Sequence, residues 1–301
     1  MRSIAVFFEA PGALDYPFSV PLYQTVYQEL AATVEKQGGN LFFVRDQVNY
    51  IGENTFTHAW KWQGKILQRI NGPLTFDLIW NRGNFLGDEH CNIMNDPALG
   101  EITTDKWKSY LLLPEHHPKT VLLQSVRNVD SALRSLRGSW LVGKPIDRSG
   151  GEGVIIGPRE KVIDQLEVFP YLLQEFIDSR HGIPGLVQEP YDLRIISLKG
   201  EISLCYIRTA PPGEFTANVS RGGKEIEVKP ELIPEGACNL FYAVDAKFQK
   251  FANRMYCVDM ALDRDGHWKI IELNSQPGFS PKFTGKSYPI FYRKLAELLL
   301  S

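Results

Sequence analysis

Cysteine is scarce in this chain of 301 residues. Cys91, Cys205, Cys238 and Cys257 stand far apart with no Cys-x-x-Cys pair, which excludes the common zinc spacings and leaves free thiols in a reducing compartment as the expectation. No stretch reaches the roughly 18 consecutive apolar residues of a membrane-spanning helix. The apolar run at the N-terminus, Ile4 to Phe8, stops at Glu9 and is too short for the apolar region of a secretory signal. A cytoplasmic location is therefore expected. Charge of one sign is also lacking: 33 Lys and Arg against 35 Asp and Glu give a formal charge of −2. No long-range field then selects nucleic acid or an anionic membrane as a partner. Internal repeats and low-complexity tracts are absent as well.

What is present is a globular composition, 44% hydrophobic and 23% charged, enough for one large core or two to three smaller ones. Ile4 to Phe8 reads as a buried strand, Leu22 to Lys36 as a helix closed by Gly38-Gly39, and Leu41 to Val44 as the returning strand. Another apolar strand, Phe76 to Trp80, places Arg82 just beyond its end. This order implies an α/β layer with its loops gathered at the strands' C-terminal ends. Periodicity lapses from Asn95 to Thr104, and Asp105-Lys106-Trp107 opens a helix, so a boundary is expected near residue 103. Beyond it the pattern is β-rich: Trp140 to Pro145, a glycine loop from Asp147 to Gly153, Val154 to Ile156, then Tyr171 to Ile177. Two further strand pairs surround Lys199-Gly200 and Asp263 to Gly266, and a helix closes the chain from Tyr288 to Leu300.

The last strand pair carries a chemical argument. A two-residue turn at Asp265-Gly266 would set Arg264 against His267 and, outward along the ladder, Asp259 directly opposite Glu272. Directly opposed carboxylates repel unless something compensates them, and a bound cation would. Asn274, two residues past Glu272, shares its face and adds a neutral oxygen, a donor set suited to magnesium. A solvated acidic hairpin is the competing reading, and a longer loop would make the pair diagonal or shift the register by a bulge, weakening the geometric argument. Elsewhere, Gly150, Gly151 and Gly153 let backbone N–H groups approach phosphate oxygens, with Ser149 adding a hydroxyl. An ordinary flexible hairpin loop would look the same. Lys144, emerging from an apolar strand, and Lys106, at a helix start, are candidate phosphate ligands. Arg194, Arg208 and Arg221, with Asn218, form a cationic set whose guanidinium forks match phosphate or carboxylate.

Taken in order, these residues resemble the ATP-grasp enzymes, in the branch of glutathione synthetase and the ribosomal-protein glutamate ligases. The resemblance covers about residues 95 to 280. It rests on Asp105-Lys106, Lys144-Pro145, Gly150-Gly151-Glu152-Gly153, Gln174-Glu175-Phe176-Ile177, Asp192-Leu193-Arg194, Arg208 to Phe215, Asn218, Arg221-Gly222-Gly223, Asp259 and Glu272 to Phe279. It implies an α/β and α+β fold: a Rossmann-like domain (1–103), then two α+β subdomains, 104–174 and 175–301, that clasp a nucleotide.

The cofactors implied are ATP and magnesium, or manganese in its place. By the same resemblance Lys106, Lys144 and the glycine loop hold phosphates, and Gln174, Glu175, Phe176 and Ile177 form an adenine-binding hinge that reads the base through its main chain. Asp259, Glu272 and Asn274 hold magnesium; Arg194, Arg208 and Asn218 steady the transferred phosphoryl group; and Arg82, Arg221 and Ser275 face the substrate. A carboxylate would be activated as its acyl phosphate and joined to an amine. No Ser-His-Asp or Cys-His arrangement is needed, and His90, His116, His117 and His181 stay unassigned. A phosphotransferase on the same fold, or a nucleotide-binding module without turnover, are the alternatives. The expected partners are small carboxylates and amines, amino acids or peptides among them, and a homodimer is expected slightly ahead of a monomer.

Overall fold

The structure is a computed structural model that describes every residue except 149, 168, 212, 214, 216–222 and 280–286. Its first sheet begins with β1 (Arg2–Phe8), followed by helix α1 (Pro21–Lys36) and β2 (Gly39–Arg45). Proline at the start of α1 costs no hydrogen bond there, and the helix buries Val26, Tyr27, Leu30, Ala31 and Val34 as one stripe. The chain continues through β3 (Tyr50–Gly52), β4 (Thr55–Gln63), β5 (Ile66–Thr75), β6 (Leu78–Asn81) and β7 (Ile93–Met94). Strand order is β3-β4-β2-β1-β6-β7, with β5 on β4. The centre is parallel, Ile4 lying between Leu41 and Leu78. Arg82 follows β6 at the C-terminal edge of that parallel core.

Where the sequence periodicity lapses, the structure has a short helix, α2 (Pro97–Thr104), capped by Asp96, whose carboxylate accepts from the Ala98 N–H at 2.7 Å. Eight residues make barely two turns, and Leu99 and Thr103 are the only two of them buried, too short an apolar stripe to read as a period. Helix α3 (Lys106–Leu112) starts where expected, because Asp105 caps it through the N–H groups of Trp107 and Lys108. The second sheet, order β10-β9-β11-β8, comprises β8 (Thr120–Leu123), β9 (Trp140–Pro145), β10 (Ile155–Pro158) and β11 (Tyr171–Glu175), with α4 (Val129–Ser135) and α5 (Arg159–Asp164) interleaved.

The third sheet is antiparallel, order β14-β13-β12-β15-β16, from β12 (Tyr191–Leu198), β13 (Glu201–Thr209), β14 (Lys224–Glu227), β15 (Met255–Leu262) and β16 (Trp268–Asn274). Lys199 and Gly200, both at positive φ, make the tight turn between β12 and β13. Helix α6 (Glu235–Phe248) covers one face, packing Phe241, Val244 and Phe248 with Leu193, Ile195 and Val258. The other face is divided. Ile196, Leu204 and Cys257 belong to a core shared with the first sheet and helix α7 (Ser287–Leu300), and the rest faces the second sheet across a cleft. So α7 joins the N-terminal layer to the third sheet. Among the described residues no helix is long and apolar enough to cross a membrane.

Candidate active site

Asp259 does stand opposite Glu272, but by a different route from the two-residue turn. The loop is longer: the Asp263 N–H donates to the His267 carbonyl at 2.9 Å, so the strands pair one residue out of the expected register. A β-bulge between Asp259 and Met260, which leaves Ile271 without a partner, then restores it. Next along the sheet, Arg194 on β12 pairs with Asp259, and Asp192, two residues earlier on the same face, pairs with Arg208 of β13. Strand register thus lays acids and arginines alternately across three strands.

The side chains use that register. Arg194 Nε and Nη2 each donate to Asp259 at 2.6 Å. Arg208 binds Asp192 through Nε (2.7 Å) and Nη2 (2.8 Å), and its Nη2 also reaches Asp259 Oδ2 at 2.7 Å. All four groups are buried. Burial raises the Asp259 carboxyl, but Arg194 and Arg208 outweigh it and hold it at about 2. Asp192 goes the other way: burial lifts it, and Asp259 adds to the rise against the pull of Arg208.

Facing this ladder, Lys144 on β9 donates to the Ile271 carbonyl at 3.2 Å, and Lys106 at the start of α3 lies 3.3 Å from Glu272 Oε1. Lys106 also donates to the Arg148 carbonyl in the glycine loop. Burial lowers Lys144 to about 8, Glu272 opposing the fall and Lys106 adding to it. Positive φ at Gly150, Gly151 and Gly153 forms the loop, and a Cβ at Gly153 would come within 2.8 Å of Pro145.

The cleft between these two walls spans roughly 890 Å³ with its open mouth included. One half is charged, with Lys106, Lys144, Arg208, Asp259 and Glu272. The other is apolar, lined by Val142, Ile156, Ile177, Ala261 and Ile271, and closed by an aromatic group in which Phe215 lies 5.1 Å from Trp140 and 5.6 Å from Phe176. A polyanion with a flat apolar end fits such a division.

A model of the RimK-like ATP-grasp domain matches residues 103–286, more than half of the chain. The chain belongs to the RimK-like ATP-grasp family. A probable alpha-L-glutamate ligase of Legionella pneumophila (strain Corby) is 29% identical over 194 residues, 62% of this chain and 59% of that protein. The chain therefore matches less than two thirds of that relative's length. Another, from Psychromonas ingrahamii, is 28% identical over 246 residues, covering 78% and 74% of the two chains. Among solved structures, D-alanyl-alanine synthetase A from Vibrio cholerae superposes with a TM-score of 0.66 at 13% identity, over 99% of this chain and 96% of that one. At that identity the likeness shows the fold: this is an ATP-grasp architecture with the mixed α/β layers expected.

In this ATP-grasp chain the predicted site residues separate into groups. Lys106, Lys144, Gly151, Gln174 to Ile177, Arg208, Asp259 and Glu272 line the cleft. Gln174 does so with its amide donating to Thr120 Oγ1 at 2.8 Å, so its side chain braces β11 against β8. Arg194 stands behind, on Asp259. Asn274 is not among the lining residues; its Oδ1 accepts from the Gln276 N–H at 2.7 Å. Ser275 is buried and holds the molecule together: its hydroxyl accepts from Thr103 Oγ1 at 2.8 Å, and its carbonyl from Asn95 at 2.6 Å. Arg82 opens onto a second, smaller cavity. Ser149, Asn218 and Arg221 lie outside the described residues. Two participants were given no role from the sequence: Asp192, quoted with Leu193 and Arg194 as a motif though its spacing of two from Arg194 marks a shared strand face, and the apolar wall from Val142 to Ile271, which resembles any core.

The donor set fits a hard divalent cation. Asp259 and Glu272 offer carboxylate oxygens on neighbouring strands and already attract three of the protein's own cations. No cluster of three or more His, Cys, Asp or Glu is poised for a metal among the described residues, so phosphate oxygens and water would complete the shell, as magnesium sites commonly require.

Proposed function

We propose that this chain is an ATP-dependent ligase that activates a carboxylate as its acyl phosphate and couples it to an amine, releasing ADP and phosphate, in the manner of glutathione synthetase. The two-sided cleft carries this reading: phosphate-binding lysines and an acid pair at one end, a hinge and aromatic wall at the other. Lys106 and Lys144 would hold phosphate oxygens beneath the glycine loop. The Glu175 N–H is committed to the Lys119 carbonyl at 2.9 Å, so the Glu175 carbonyl and the Ile177 N–H are the groups left to read an adenine edge.

Asp259, Glu272 and Asn274 would hold magnesium, which supplies charge neutralisation at the phosphates. Arg208 and Arg194 arrive already oriented by Asp192 and Asp259, so their charges stand ready where negative charge develops and need not reorganise. Such chemistry needs positioning more than a protein nucleophile. The same reading divides the chain at 1–103, 104–174 and 175–301. The name of these relatives makes L-glutamate the first amine-bearing substrate to try, with amino acids and short peptides as the wider class.

A screen of carboxylate and amine pairs for ADP release, with mass measurement of products, tests the proposal. An amide formed only when both partners are present supports it. A phosphorylated acceptor with no amide moves the reading to a phosphotransferase, and ADP release indifferent to every carboxylate overturns both.

A further inference from the structure

Away from the nucleotide cleft, a second cavity opens at the C-terminal edge of the first sheet, bounded by Tyr16, Tyr23, Tyr27, Arg82, Gln276 and Phe279. Arg82 is the one charged residue on its described wall. Its guanidinium lies over Trp80 and Phe279, 5.2 and 5.7 Å from the ring centres, so it is fixed in place by aromatic faces. Nη2 donates to the Pro277 carbonyl at 2.9 Å. Nε and Nη1 are buried and make no hydrogen bond within 3.5 Å among the described residues; the Tyr27 hydroxyl stands near enough to feel the guanidinium, and it is a neutral partner that leaves the charge uncompensated. Buried polar groups are ordinarily satisfied, and a buried cation without an acid is costly. A guanidinium held rigid with donors unspent is the arrangement that a planar anion completes.

We infer that this cavity is a carboxylate-binding site in which Arg82 anchors one end of a substrate, while Tyr16 and Tyr23 at its mouth take an apolar group beside that carboxylate. Tyr16 is 62% exposed and meets Tyr23 edge-on at 5.8 Å, a rim on which the body of a ligand can lie. The cavity is small, roughly 360 Å³ even with its open mouth included, so the charged group enters and the rest stays at the rim. Position links the two sites. Gln276 lines this cavity four residues after Glu272, and its amide donates to the Gly83 carbonyl at 2.8 Å, tying the end of β16 to the Arg82 loop. Four residues of extended chain span at most about 14 Å. A carboxylate anchored at Arg82 therefore lies within reach of the nucleotide cleft for an amino acid or short peptide. Only this last step rests on the ligase reading; the anion site itself does not.

N-acetylphenylalanine and its carboxamide, alike except for the charge, are titrated calorimetrically into the wild-type chain and into Arg82→Gln, Arg82→Lys and Tyr16→Ala. The acid should bind about tenfold or more tightly than the amide, the difference a charge-assisted pair supplies. Arg82→Gln should abolish that preference, Arg82→Lys should restore part of it, and Tyr16→Ala should weaken both ligands alike. Equal binding of acid and amide by the wild type, or neither binding, overturns the site. Magnesium-ATP is titrated into the wild-type chain in parallel. Its failure to bind would refute the nucleotide reading while leaving the acid–amide contrast intact.

Discussion

Arg208 and Arg82 are both arginines that line a cavity, yet the fold treats them in opposite ways. Arg208 spends Nε and Nη2 on two aspartates within 2.8 Å, whereas among the described residues Arg82 has one carbonyl and no acid. The difference lies in strand register. Arg208 sits mid-ladder, where antiparallel pairing puts Asp192 directly opposite; Arg82 follows the last residue of β6, its N–H bonded to the Phe7 carbonyl, and the end of β1 beside it, Phe7 and Phe8, carries no charge. A cation matched by the fold is preorganised machinery, and one left unmatched is a place for something else.

The largest effect that would test this contrast is on stability at the matched end. Arg208→Met leaves Asp192 and part of Asp259 buried without their counter-charge, and breaking such a pair costs about 3–5 kcal/mol. Urea unfolding measures it. A loss under about 1 kcal/mol would mean the ladder is not a coupled unit. Glu272→Ala comes next. Its partner Lys106 is farther away at 3.3 Å and its side chain keeps 32% exposure, so the fold should survive while amine-dependent ADP release falls by at least about a hundredfold, the scale of losing one fixed electrostatic contact. Near-normal turnover would remove Glu272 from the metal site.

These two residues also mark what the sequence made legible. Asp259, Glu272 and the cations facing them could be found because strand periodicity and direct opposition are rules of spacing. The bulge that preserves their pairing could not, since an extra residue at Ile271 and a longer loop at Asp263 cancel in any count of positions. The antiparallel strands β3 to β5 went unread for a different reason. Trp60 and Trp62 do alternate with polar residues along β4, but β5 contains Asn71-Gly72-Pro73, which reads as a turn, and none of its residues is buried. The placement of α7 against the first sheet is tertiary: an amphipathic helix announces a buried face and not the neighbour that buries it. For the same reason Ser275 looked available beside Asn274, when only the folded chain brings Thr103 to its hydroxyl.

His117 extends the contrast to a group that can shed its charge. Its Nε2 is buried without a partner among the described residues, and burial, reinforced by Lys144, lowers its pKa to about 3. The unfolded chain takes up this proton near pH 6.5 and the folded chain does not, so the unfolded state binds more protons between about pH 6.5 and 3 and stability falls as pH falls through that window. From pH 7 to 5 the loss from this one residue is about 2 kcal/mol. Replacing it, as in His117→Leu, should flatten the acid limb of the stability curve by that amount, and an unchanged limb would show that the histidine is protonated in the folded protein.

The smallest expected change is the most diagnostic. If Arg82 were a structural cation like Arg208, then Arg82→Met should be costly. If it is held for a ligand, the substitution loses two ring contacts and one hydrogen bond but relieves a half-buried charge with no acid beside it among the described residues, and these offset one another to within about 1 kcal/mol. Urea unfolding of Arg82→Met beside Arg208→Met, at the same pH and salt, places the two on one scale. A gap of several kcal/mol is the expected outcome; equal losses would make Arg82 part of the scaffold, because a residue that the fold itself needs has no donors to spare for a substrate.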